Sequence, residues 1–184
     1  MGFFETGFMI ADRIVKGVEE VKNLKLSKKV LLRAYYFEII TNLELLNVIN
    51  IEAIKKLSIN SPSVYSLFQN LEIQIGASIV FSDDNIPREV FDFLYRKGSI
   101  KETNDEACKA AQKSKTTNKT VLQAIDFTLR KITVLQKLAS FREETDEKVI
   151  DTLRLKIRVE NIIEHLEFIK KNLLELNKTE NYII

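Results

Sequence analysis

Seven apolar residues near the C-terminus recur at alternating steps of four and three: Leu155, Val159, Ile162, Leu166, Ile169, Leu173 and Leu176. That stepping is a helical seam, and neither Gly nor Pro interrupts it. A chain that carries it must bury one long helix face, inside its own fold or against a second copy. Five Gly and two Pro in 184 residues are too few for a turn-rich β-sandwich or for the Gly loops of nucleotide-binding α/β folds. At this length, with 45% hydrophobic and 29% charged residues, one domain with a substantial core is expected over residues 1–184.

The remaining helical patterns are laid out along the chain. Residues 3–24 place Phe4, Phe8, Ala11, Ile14, Val15, Val18 and Val21 on one face, with charged residues opposite. A second helix is expected over 28–49, apolar round most of its circumference and therefore central. A short helix follows at 51–57. Ser61-Pro62 starts another segment, where 62–81 fits a helix through Leu67, Phe68, Leu71, Ile75 and Ile79 but also alternates as a strand would. Helix is preferred, because no partner strand is evident. Pro87 opens a helix that Gly98 is expected to cap. Residues 113–120 contain no apolar side chain, so 99–120 reads as an exposed loop region. A helix resumes at Thr120 and ends near Ser140. The last one runs from about 145 to 177, with 178–184 as a fraying tail. The sum is an all-α fold: an antiparallel bundle of four long helices with short connecting helices.

Several chemistries are excluded. A single cysteine, Cys108, forms no intramolecular disulfide and no multi-cysteine zinc site, and it fits a reducing cytoplasm. One histidine is too few for a bundle di-iron centre, so neither a metal nor a cofactor is expected. No GxGxxG or GxxxxGK spacing is present to cradle phosphate. No apolar run is long enough to span a bilayer, and no secretion signal is visible. A loose myristoylation pattern, Met1-Gly2-x-x-x-Thr6, and a Phe3/Phe4/Phe8 end are the only features that point towards a membrane surface. The net charge of +2 gives no whole-molecule drive towards nucleic acid, and the local basic group Lys109, Lys113, Lys115 and Lys119 has no interleaved aromatic residues for base stacking.

Two polar constellations stand out. Arg158 and His165, the sole histidine, lie one heptad apart on the flank of the seam. Glu38 and Asn42 lie four apart in the apolar second helix, on the side away from Arg33. A carboxylate there must be paired or hydrogen-bonded, or its pKa rises. The expected use is structural, a polar pair that sets helix register or a bond to Tyr35 or Tyr65. The functional alternative is a polar pocket in the bundle.

Arg and His separated by six residues on a long helix resemble the motif of HEPN-type helical domains, many of them metal-independent ribonucleases. The resemblance covers these two positions and the helical class. It implies that Arg158 holds the scissile phosphate, that His165 does acid–base work on the 2′-hydroxyl, and that two protomers meet across the helix. Glu38 or Asn42 would assist. The spacing is at the long end of the family's range, and Val159 stands where a polar residue often follows the Arg. The preferred expectation is different: a non-enzymatic helical interaction or accessory protein that works through protein contacts and self-associates as a homodimer.

Overall fold

A computed structural model describes residues 28–48, 62–81, 88–103, 114–140 and 155–180. The elements are α1 (Lys28–Val48), α2 (Pro62–Gln69), α3 (Gln74–Phe81), α4 (Arg88–Leu94), β1 (Lys97–Thr103), β2 (Ser114–Thr120), α5 (Val121–Ser140) and α6 (Leu155–Glu180). The fold is mostly helical, with one antiparallel two-stranded sheet.

All seven seam residues of α6 are buried, against α5, α1 and β1 of the same chain. The stripe therefore belongs to the chain's own core. α5 contributes Val121, Ala124, Ile125, Leu129, Ile132 and Leu135, and α1 contributes Leu32, Tyr35, Ile39, Leu43 and Leu46. α1 is not enclosed all round, as its apolar circumference suggested. Val30, Phe37 and Val48 are 47%, 55% and 70% exposed.

The sheet corrects the reading of 99–103 and 114–120 as loop, and it adds one small strand pair to a fold that is otherwise helical, as the sequence leads one to expect. β1 and β2 pair from Lys97↔Thr120 to Thr103↔Ser114. Local composition argues against strands, and packing decides for them. Ile100 is buried, and Gly98 lies against the Phe168 ring, where an added Cβ would come within 2.5 Å of Phe168 Cε2. Gly98 thus serves close packing in a strand and does not cap a helix, because α4 already ends at Leu94. β2 runs directly into α5 through a capping box. The Gln123 N–H donates to Thr120 Oγ1 (3.1 Å), and the Thr120 N–H donates to Gln123 Oε1 (2.9 Å).

The 62–81 segment is helical, as preferred, but in two pieces that break at Asn70–Ile73. α6 extends to Glu180, past the expected end at 177. The helices expected at 3–24 and 51–57, the Met1-Gly2 pattern, the Phe3/Phe4/Phe8 end, Cys108, Lys109 and Lys113 all lie outside the described residues.

Candidate functional site

α6 crosses the inner face of the hairpin, and its polar residues meet β1 in reverse order. Asn161 meets Thr103, His165 meets Glu102, and Phe168 meets Gly98. His165 is fully buried, 0% exposed, and its ring stacks on Phe127 at 3.8 Å between centroids and 11° between planes. Nδ1 lies 2.7 Å from Asn161 O, an acceptor, so Nδ1 carries the proton and donates. Nε2 is then the acceptor, and Lys119 Nζ at 3.1 Å donates to it. Glu102 Oε1, 3.0 Å from Nε2, has no proton to share with it and is held instead by the same Lys119 ammonium.

Lys119 thus bridges a carboxylate and a neutral imidazole while lying over the Phe127 ring at 4.7 Å. Lys131 approaches that ring at 5.5 Å. Burial pushes the His165 pKa down to about 4, and the Lys119 charge pushes the same way, against the bond to Asn161 O and the pull of Glu102. Burial alone would raise the Glu102 carboxyl. The hydrogen bonds from Lys119 and from Thr117 Oγ1 (2.9 Å) outweigh it and hold the pKa below the usual range.

The second cluster joins α1 to the break between α2 and α3. The Glu38 carboxylate accepts from the N–H groups of Ile75 (2.7 Å, to Oε2) and Gly76 (2.9 Å, to Oε1). These are first-turn amides of α3, which have no partner within their own helix, so a side chain 38 positions from Gly76 in sequence caps the helix. Asn42 pairs with Glu72 in both directions: Nδ2 donates to Glu72 O and the Glu72 N–H donates to Oδ1, each at 2.7 Å. Gln136 Nε2 donates to Leu71 O at 2.7 Å from the α5 side. The chain breaks here because three side chains take over its backbone groups. Burial pushes Glu38 up to about 7, against the two amide bonds and with a smaller push from Glu72. Tyr35 beside it is raised by burial and by Glu38. The carboxylate binds amides and no tyrosine hydroxyl, while Tyr65 Oη has no hydrogen-bond partner among the described residues.

Of the four residues singled out in the sequence, Glu38 and Asn42 work together on one segment. His165 serves a separate cluster, and no hydrogen bond or ion pair joins the two among the described residues. Arg158, two turns before His165 on α6, is half-buried and partnered. Glu102, Lys119, Phe127 and Asn161 were not singled out as a set. The alternation Gly98-x-Ile100-x-Glu102 and the β-branched Thr116, Thr117 and Thr120 were the available signals. Among the described residues no three His, Cys, Asp or Glu side chains converge as metal ligands, and no helix is long and apolar enough to cross a membrane. Comparison of the chain with protein-family models, with curated proteins and with solved structures finds no match.

Proposed function

We propose that the chain is a non-enzymatic helical interaction protein of the cytoplasm that self-associates through the outer face of α1. The observation that supports this most is the stripe Val30, Phe37 and Val48. It lies along one side of α1 at steps of seven and eleven and remains exposed, while the α6 seam is spent internally. The reactive-looking side chains add support, since His165, Glu38 and Asn42 all make internal bonds.

Light scattering after gel filtration tests the proposal. Wild type is expected to run as a dimer and Phe37→Glu as a monomer. Loss of a central aromatic contact typically weakens association by about 2 kcal/mol, roughly thirtyfold. A wild type that is monomeric, with Phe37→Glu lowering its stability, would put the stripe inside the chain's own fold and overturn self-association. Cleavage of RNA without metal, abolished by His165→Ala, would favour the ribonuclease alternative in place of this one.

A further inference from the structure

Three observations fix which backbone groups of β1 point away from β2. The Val121 N–H donates to Arg96 O (3.0 Å), continuing the ladder one position beyond the strand pair. The Thr120 N–H is turned away from Lys97 and donates to Gln123. The Thr103 N–H donates to Asn161 Oδ1 (2.8 Å), and the Thr103 carbonyl accepts from Asn161 Nδ2 (3.0 Å). In an antiparallel ladder bonded and non-bonded pairs alternate, so Gly98, Ile100 and Glu102 bond to β2. Lys97, Ser99, Lys101 and Thr103 direct their N–H and C=O groups outwards.

At Thr103 the Asn161 amide does what a third strand would do, donating and accepting on one residue. The next outward residues, Lys101, Ser99 and Lys97, are exposed and have no such partner among the described residues. Beside them a groove of about 390 Å³ opens between β1 and α6, with Ile100 and Phe168 in its floor and Glu164, Glu167 and Glu175 beside Lys171 on its helix wall, so acidic side chains are disfavoured on the groove side of an added strand. We propose that this edge takes a short extended segment of a partner protein by strand addition, with Asn161 marking where the added strand ends.

The partner's chemistry follows from the charges. Among the described residues, the outer face of the two strands carries Lys97 and Lys101 among Ser99, Asn118, Thr116 and Thr103, with no acidic residue. Lysines on an edge discourage pairing with a second copy. They favour a strand whose outward side chains are acidic and whose inward ones are small and apolar, to lie over Phe168. Three outward residues span about 13 Å, which a segment of roughly five residues covers.

The test uses the full chain and a fluorescent capped peptide Glu-Val-Glu-Val-Glu, with Lys-Val-Lys-Val-Lys and a backbone N-methylated Glu-Val peptide as comparators. Anisotropy should show saturable binding of the acidic peptide and at least tenfold weaker binding of the other two. Ser99→Pro removes an outward N–H that the hairpin does not use, so the ladder survives while binding falls tenfold or more. An unchanged imidazole resonance of His165 in that variant shows that the hairpin is still docked. Lys97→Glu/Lys101→Glu should reverse the preference between the two charged peptides. Equal binding of all peptides, no binding of the acidic one, or indifference to both variants would overturn the proposal. It rests on the reading of the chain as an interaction protein, and the two fail separately, because dimerisation through Phe37 is measured without peptide.

Discussion

His165 was conspicuous as the only histidine, and its surroundings explain why it need not titrate near neutrality. It is buried, donates from Nδ1 and accepts from a lysine, so a proton on Nε2 would set two cations against each other. The chain's one imidazole gives a single Cε1–H resonance. Its chemical shift is expected to hold the neutral position down to about pH 5, with a midpoint near 4. A midpoint above 6 would mean that the ring is not buried as this geometry has it, with Lys119 against it. Glu38 is the opposite case, an acid whose proton is retained to about pH 7. Its folded pKa exceeds its unfolded one, so its contribution is full below about pH 4.5 and is lost as pH rises through 7. Over that window wild type should lose about 3 kcal/mol relative to Glu38→Gln, measured by denaturant unfolding at several pH values. A difference curve flat in pH would show that Glu38 is fully ionised in the fold.

Among the elements, the hairpin and α6 depend on each other most closely. The Phe168 ring occupies the space a side chain at position 98 would need. Gly98→Ala is expected to destabilise by about 1–3 kcal/mol, a fall in Tm of several degrees. Phe168→Leu in the same chain should recover part of that loss, which a double-mutant cycle by thermal unfolding would read. Simple additivity would mean that the two positions do not touch. The break between α2 and α3 depends likewise on Asn42. Asn42→Ala leaves both backbone groups of Glu72 without their partner and should cost about 1–3 kcal/mol in denaturant unfolding.

Across the whole molecule the two titrating groups oppose each other. His165, with its pKa depressed, contributes fully above about pH 6.5 and loses that contribution as pH falls to 4, while Glu38 loses its own as pH rises from 4.5 to 7. Wild type should therefore be nearly level in stability between these limits, and Glu38→Gln should expose the rising limb due to His165.

Much of the helical part was legible in the sequence, since a seam stepped at four and three has few other uses. Glu38 was legible as a carboxylate out of place in an apolar helix, but its partners were not, because Gly76 lies 38 residues away. The hairpin left only a faint trace, the alternation through Ile100 and the threonines of the second strand. Ser114–Thr120 has no apolar residue, and the contacts that bury the hairpin's inner face come from α6, far along the chain. That omission hid the surroundings of His165 too, because the flank of the seam that carries it is the one the hairpin covers.

The amide of Asn161 reaches Thr103 across 58 positions of sequence, whereas the two strands it steadies are near neighbours in the chain. The two events belong to different times. A hairpin closes on the order of microseconds, and a contact between distant segments must wait for the longer loop to close. The stack of His165 on Phe127 can form only after the second event. In a stopped refolding reaction the imidazole signal would then be the last to reach its native value, a clock for the arrival of α6 that needs no added label.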